Sequence, residues 1–348
     1  MLMRAVVYEE YGATPVLREV EEPSCPDEGA VIAVRATGVC RSDWHAWRGH
    51  DRVPLPHVPG HELAGVVAAT GAGVTRWQVG DRVTVPFVCG CGRCEYCLAG
   101  EAQVCPDQTQ PGFTGPGSFA DRVAVRAADT NLVRLPGEVG FVTAASLGCR
   151  FATAFRALTA HGRVRSAEWV AVHGCGGVGL SAVMVAAALG ARVVAVDVSP
   201  RALARARELG AEVVLDAREG DVVTALRAAT GGGAHVSLDA LGSPATAVGS
   251  VRCLRPRGRH VQVGLLLGKD ATPPLPMDLV VAHELAVYGS HGMPAADYPA
   301  MLALVADQTL RPDLLVGEVI GLEEAGDALA AMDVPPRLAG MTVVEVPG

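Results

Sequence analysis

From Glu168 onward, short β-branched runs alternate with Ala-rich stretches that carry a helical pattern. The runs Trp169–Val172, Arg192–Val196, Glu212–Leu215, His235–Asp239, Arg259–Val263 and Leu285–Ser290 predict six strands. Helices are expected between most of them, at Val178–Leu189, Pro200–Leu209, Asp221–Ala229 and Pro244–Leu254. Such alternation requires parallel strands joined by right-handed crossovers, so a doubly wound α/β sheet follows.

The first 150 residues read differently. Strand candidates at Arg4–Tyr8, Val31–Gly38, Glu62–Ala69, Arg82–Phe87 and Ala120–Val125 are separated by Pro and Gly turns, with few helical periods, so this half is expected to be mainly β. Beyond the sixth strand lie a helix near Ala296–Asp307, another near Leu322–Met332 and a closing strand Met341–Val346. That is too little to fold alone, and the tail is expected to rejoin the first domain. No repeat or low-complexity linker interrupts the chain.

Half of the 348 residues are apolar, 19% are charged and the net charge is -8, which excludes disorder and the basic stripe that nucleic acid demands. Glu9 and Glu10 precede any apolar run long enough for a signal peptide, so a cytoplasmic protein is expected. Trp169–Ala191 contains no Asp, Glu, Lys or Arg, yet the glycines of His173-Gly174-Cys175-Gly176-Gly177 divide it into strand, turn and helix, and no membrane partner is expected.

Ten cysteines in such a compartment point first to metal. Cys91-x2-Cys94-x2-Cys97-x7-Cys105 places four thiols in fifteen residues of Gly- and Pro-punctuated chain, enough to wrap one tetrahedral zinc ion with no position open for substrate. Cys89 stands two residues before Cys91 and is an alternative to it. The glycine turn Gly174-x-Gly176-Gly177-Val178-Gly179 follows a strand and opens a helix, and Asp197 comes 18 residues later at the end of the next strand. In that context the glycines let backbone amides approach a dinucleotide pyrophosphate while Asp197 meets the adenosine ribose of NAD.

Further residues are weak singly: Cys40 in Gly38-Val39-Cys40-Arg41-Ser42-Asp43-Trp44-His45, His61-Glu62 after Gly60, and Cys149 in Gly148-Cys149-Arg150. Together with the cysteine lobe and the glycine turn, in this order and at these separations, they resemble the zinc-dependent medium-chain alcohol dehydrogenases along nearly the whole chain. The resemblance implies a mainly-β GroES-like catalytic domain over 1–150, completed by 293–348, and a Rossmann domain over 151–292. It implies two zinc ions per chain, NAD, and the reversible oxidation of a primary or secondary alcohol to an aldehyde or ketone. A homo-oligomer, dimer or tetramer, is implied as well.

Residue by residue, it implies that Cys40, His61 and Cys149 hold a catalytic zinc with a fourth position open. Glu62 would lie near that ion as a transient ligand, and Asp43 would orient the His61 ring. Ser42 would accept the proton of the alcohol, and His45 would pass it toward solvent by way of the cofactor ribose. Arg41 would pair with the pyrophosphate, and Thr153 would pack near the nicotinamide. Phe87 and Trp47 would line the substrate pocket.

Three positions depart from the family pattern or qualify it. Arg150 follows Cys149 where relatives carry a small residue. Gly340-Met341 replaces a basic clamp on the pyrophosphate. Arg201, four residues past Asp197, is a guanidinium that could accommodate the ribose phosphate of NADP. The competing readings are a zinc polyol or amino-alcohol dehydrogenase of the same fold and, in a different class, a catalytically silent nucleotide-binding scaffold.

Overall fold

The computed structural model describes residues 1–334 and 340–347, which divide into two compact units. One comprises Thr153–His291; the other joins Met1–Ala152 to Gly292–Gly348.

The Thr153–His291 unit is a six-stranded parallel sheet. Its spatial order is Val213–Asp216, Arg192–Asp197, Trp169–His173, Ala234–Asp239, Leu254–Gln262, Ala286–Gly289. The chain therefore reverses direction beside Trp169–His173, which makes its carboxyl end the switch point where doubly wound sheets bind ligands. Each strand falls within a few residues of its expected place; the fifth begins five residues earlier, at Leu254, with a register shift against its neighbour. The central strand Trp169–His173 is buried at every position, which is why it reads as an unbroken apolar run. Helices Gly177–Ala188, Pro200–Glu208, Val222–Ala229 and Pro244–Arg252 form the crossovers. Ser199, Asp221 and Ser243 cap three of them, with Pro at the first helical position after each serine.

The other unit is built on a seven-stranded sheet ordered Val316–Gly321, Met341–Glu345, Ala30–Gly38, Glu62–Thr70, Arg82–Val85, Val133–Arg134, with Arg122–Val125 also pairing to Ala30–Gly38. The tail strand Met341–Glu345 lies antiparallel against Ala30–Gly38, Val343 opposite Gly38. A separate ribbon joins Leu2–Val7 to Val16–Glu21. Ile32, Val34, Leu63, Val83, Phe119 and Trp47 belong to one buried cluster of this unit. No helix among the described residues is long and apolar enough to cross a membrane.

Candidate active site and metal centres

Cys40 follows the strand Ala30–Gly38 and starts the seven-residue helix Arg41–Trp47. His61 immediately precedes the strand Glu62–Thr70. Cys149 sits in a widened, π-type turn, Leu147–Phe151, between helices Phe141–Ala145 and Ala152–Arg156. Such turns insert one extra residue and re-aim side chains, often at functional sites. The three are brought together: the two thiols, a ring nitrogen of His61 and a carboxylate oxygen of Glu62 all lie within 4.8 Å of one another.

Asp43 organises this cluster. It is fully buried, and its Oδ1 accepts from His61 Nδ1 at 2.8 Å and from the Gly60 N–H at 3.0 Å. Its Oδ2 accepts from the Cys40 N–H at 3.2 Å, which ties down the first turn of the helix. A proton on Nδ1 leaves His61 Nε2 with a lone pair, and Nε2 is buried with no hydrogen-bond partner among the described residues. An orphaned buried acceptor costs about 1–3 kcal/mol. Beside two thiols it fits a zinc ion well, since two sulfurs and one imidazole form a known catalytic donor set with one position left open.

Electrostatics agree with the donor set. The Cys40 thiol is held well below its ordinary range by a hydrogen bond with Cys149, against the penalty of burial and with help from Arg150 and His61. Burial disfavours charge on His61, yet the Asp43 carboxylate and Cys40 hold its pKa well above the ordinary value. A metal cation would take the place of that proton.

Glu62 is fully buried, so it makes no surface salt bridge. Its Oε1 accepts from the Cys149 N–H at 3.0 Å, from the Arg150 N–H at 3.3 Å and from Arg150 Nε at 3.2 Å, while Arg150 Nη2 meets Oε2. Arg150 is thus the counter-ion of Glu62. Burial raises the carboxyl pKa while the guanidinium opposes the rise.

Ser42 is half-buried in the first turn of Arg41–Trp47, and His45 is half-buried near its end. Arg41 is exposed; its guanidinium lies 4.5 Å over the Trp44 ring and donates to the Met332 carbonyl at 2.6 Å. Phe87 presents its ring edge-on to His61 with centroids 6.1 Å apart. Trp47 is buried in the core, where its indole N–H donates to the Ala13 carbonyl at 2.6 Å and Arg48 covers its face. Phe113, missed in the sequence, stands closer to His61, at 5.1 Å. It lies in a Gly- and Pro-rich loop that offers no periodicity to read.

In the other unit, Gly174 takes φ +88° and Gly176 precedes the helix Gly177–Ala188, whose first turn holds Gly177, Val178 and Gly179. A Cβ on Gly179 would lie 1.8 Å from the Gly174 carbonyl oxygen, so only glycine lets turn and helix approach this closely. Asp197 ends its strand with Oδ2 accepting from the Cys175 N–H at 2.6 Å and Oδ1 from the Ser199 N–H at 2.8 Å. Arg201 is exposed in helix Pro200–Glu208, and Thr153 is buried in Ala152–Arg156. Met341 is buried at the start of its strand and offers no charge there.

The second metal-type cluster is Cys91, Cys94, Cys97 and Cys105, with ligand atoms again within 4.8 Å of one another. The N–H groups of Arg93 and Cys94 pull the Cys91 thiol down to about 6. Cys89 is outside the cluster, buried, with its thiol directed to the Pro86 carbonyl and its pKa pushed up to about 12 by burial.

Comparison with known proteins gives a consistent result. Residues 26–137 match the alcohol dehydrogenase GroES-like domain, and 177–307 match the zinc-binding dehydrogenase domain. An alcohol dehydrogenase of Geobacillus stearothermophilus is 33% identical over 347 residues, covering 99% of this chain and all of the relative. One of Rhizobium meliloti (strain 1021) is 39% identical over 294 residues, 83% of this chain and 84% of that one. Among solved structures, the alcohol dehydrogenase TADH from Thermus sp. ATN1 superposes with a TM-score of 0.93 at 31% identity, covering 99% of this chain and all of that one.

Proposed function

The chain belongs to the zinc-dependent medium-chain alcohol dehydrogenases, and from that membership we propose how its own residues divide the work of the reaction. The observation that carries the proposal is the buried His61 ring, fixed by Asp43 at Nδ1 and left without a partner at Nε2 beside two thiols.

Cys40, His61 and Cys149 hold the catalytic zinc; Cys91, Cys94, Cys97 and Cys105 hold a structural one. When bound, the catalytic metal acidifies the alcohol hydroxyl and NAD accepts the hydride. Asp43 keeps the His61 tautomer in which Nε2 is free to bind metal. Glu62, neutralised by Arg150, stands next to the ligands as a reserve oxygen donor. Ser42 receives the alcohol proton and His45 carries it onward, roles that suit a hydroxyl able to accept and donate and an imidazole that can take a proton at one ring nitrogen and give one up at the other. Arg41 and the glycine turn bind the pyrophosphate, Asp197 the adenosine ribose, and Thr153 the nicotinamide side. Phe87 and Phe113 make an apolar wall beside His61, suited to primary and modest secondary alcohols.

We further propose that the protein works in the cytoplasm as a dimer or tetramer. Six of the ten cysteines are assigned to zinc, a use of thiolates that suits a reducing compartment. Absorbance of the reduced nicotinamide, followed with a panel of alcohols, aldehydes and ketones in both directions and with NAD and NADP, tests the activity. No turnover with any of them by zinc-replete protein would leave the silent scaffold as the better reading. Light scattering tests the subunit number.

A further inference from the structure

The helix Arg41–Trp47 ends in a turn that returns the chain over its own last residues. Gly49 adopts φ +73°, its N–H bonds to the Ala46 carbonyl at 2.9 Å, and the His50 N–H reaches back to the His45 carbonyl at 2.9 Å. These are the paired bonds of a Schellman cap, in which the second residue past the cap lies against the third residue before it. An apolar contact usually fills that place. Here it is filled by two imidazoles, with His45 Nδ1 3.0 Å from His50 Nδ1. Trp44 stands edge-on to both rings, at 5.0 Å and 5.4 Å, and is itself fixed by its indole N–H on Asp333 Oδ1 at 2.7 Å. A side chain on Gly49 would press on the Tyr11 ring at 3.1 Å as well as strain the backbone.

We propose that His50 is the outer member of a two-histidine proton relay, taking the proton from His45 and releasing it to solvent. The proposal rests on the assignment of His45 as the proton carrier of the reaction. A short Nδ1···Nδ1 contact requires one ring to donate and the other to accept, so the bridged pair shares one proton. With that proton on His45, a proton arriving at His45 Nε2 forms the new N–H bond as the Nδ1 proton passes to His50 Nδ1, and the Nε2 proton of His50 leaves to water. One proton enters, one leaves, and both rings stay neutral with their tautomers exchanged, until exchange with water resets them. Carbonyl reduction runs the same chain inward. His50 is exposed, as an outlet must be, whereas His45 is half-buried.

The charged surroundings keep the pair ready to accept. Burial is the main cause that holds the His45 pKa below its ordinary value, with the neighbouring His50 and Arg41 adding to it, while Asp51 and Cys40 oppose them. From the neighbouring segment, Asp333 faces this helix but is engaged by Trp44 and Arg48.

The test compares His45→Gln, His50→Gln, His50→Phe and the double variant His45→Gln/His50→Gln in zinc-loaded enzyme, under conditions where proton release limits alcohol oxidation. His50→Phe keeps an aromatic ring in the cap but removes the Nδ1 contact and proton exchange together, whereas His50→Gln keeps a side chain able to hydrogen-bond His45 without exchanging a proton in this range. Both His50 variants should lose activity by roughly tenfold below neutral pH and little at alkaline pH, with imidazole buffer restoring it. The double variant should be no slower than His45→Gln. A His50→Phe enzyme with the parent pH–rate profile, while His45→Gln is impaired, overturns the outer relay and leaves His45 in place. An unchanged profile for His45→Gln overturns both assignments.

Discussion

At the scale of single residues, the pairing of Glu62 with Arg150 decides much of what the zinc-type site can tolerate. The side chains are 0% and 11% exposed, so the ion pair sits where an unpaired charge is expensive. Arg150→Leu should destabilise the zinc-loaded protein by about 3–5 kcal/mol, and adding Glu62→Gln should recover much of that loss, because the amide leaves no buried charge behind. Urea unfolding of the two variants checks this; a loss under about 1 kcal/mol for Arg150→Leu would mean the pair is solvated. Asp197 sets a second test. A ribose phosphate would bring negative charge against its carboxylate, so NAD should be preferred over NADP by about a hundredfold or more in kcat/KM. Asp197→Gly should narrow that ratio from both sides, and equal use of NAD and NADP by the unmodified enzyme would remove Asp197 as the selecting group. The sequence announces Arg150 only as an oddity, because its partner lies 88 residues away and no local pattern links them.

At the scale of elements, legibility follows burial. Arg192–Asp197 and Trp169–His173 are evident in the sequence since each is a compact apolar run bounded by turns, as at Val193–Val196, where every side chain is buried; the edge strands Val213–Asp216 and Ala286–Gly289, with no buried position, are read from their β-branched residues and the alternation with helices. Val16–Glu21 escapes because Arg18, Glu19 and Glu21 interrupt it and none of its side chains is buried, so neither an apolar run nor an alternation marks it. The helix Arg41–Trp47 escapes because Cys40 occupies the cap, a residue outside the usual capping set, and the tie from Asp43 becomes visible only in three dimensions. The turn Leu147–Phe151 has no sequence signature, and only the family resemblance points to Cys149 as a ligand. The cysteine lobe is the opposite case, legible from spacing except for the choice between Cys89 and Cys91, which the geometry makes by grouping Cys91 with the other three. Four thiols should hold their ion more tenaciously than two thiols and an imidazole with an open position. A chelator titration should therefore find two zinc equivalents per chain, the first lost together with activity and the second later, with a fall in thermal stability. One equivalent or fewer in fully active protein would contradict this.

At the scale of the whole molecule, buried histidines link stability to acid. His173 is fully buried, its Nε2 3.6 Å from the Cys253 sulfur, and burial pushes its pKa down to about 4. His260, between Ser237 and Ser250, is also lowered by burial, as are His57 and His235. A folded value below the unfolded 6.5 means that the unfolded chain binds the extra protons. Stability is therefore complete above about pH 6.5 and declines as pH falls toward 4, by about 3 kcal/mol for His173 alone. Urea midpoints measured from pH 7.5 downward should show the decline, and His173→Gln should make it shallower; an unchanged slope would mean His173 is solvated. The placement of the tail strand carries a consequence of another kind. Ala30–Gly38 is hydrogen-bonded to Met341–Glu345, about 300 residues later in the chain. At 5–20 residues per second, the ribosome needs roughly 15–60 s to supply that partner. For most of this interval the Thr153–His291 unit is itself still being made; once Ala286–Gly289 has emerged that unit has all of its strands, while the interrupted unit still waits with part of a sheet edge uncovered. An open edge is a template for a neighbouring nascent chain, so the time for which that edge stands exposed during synthesis is set by the distance along the message between those two strands.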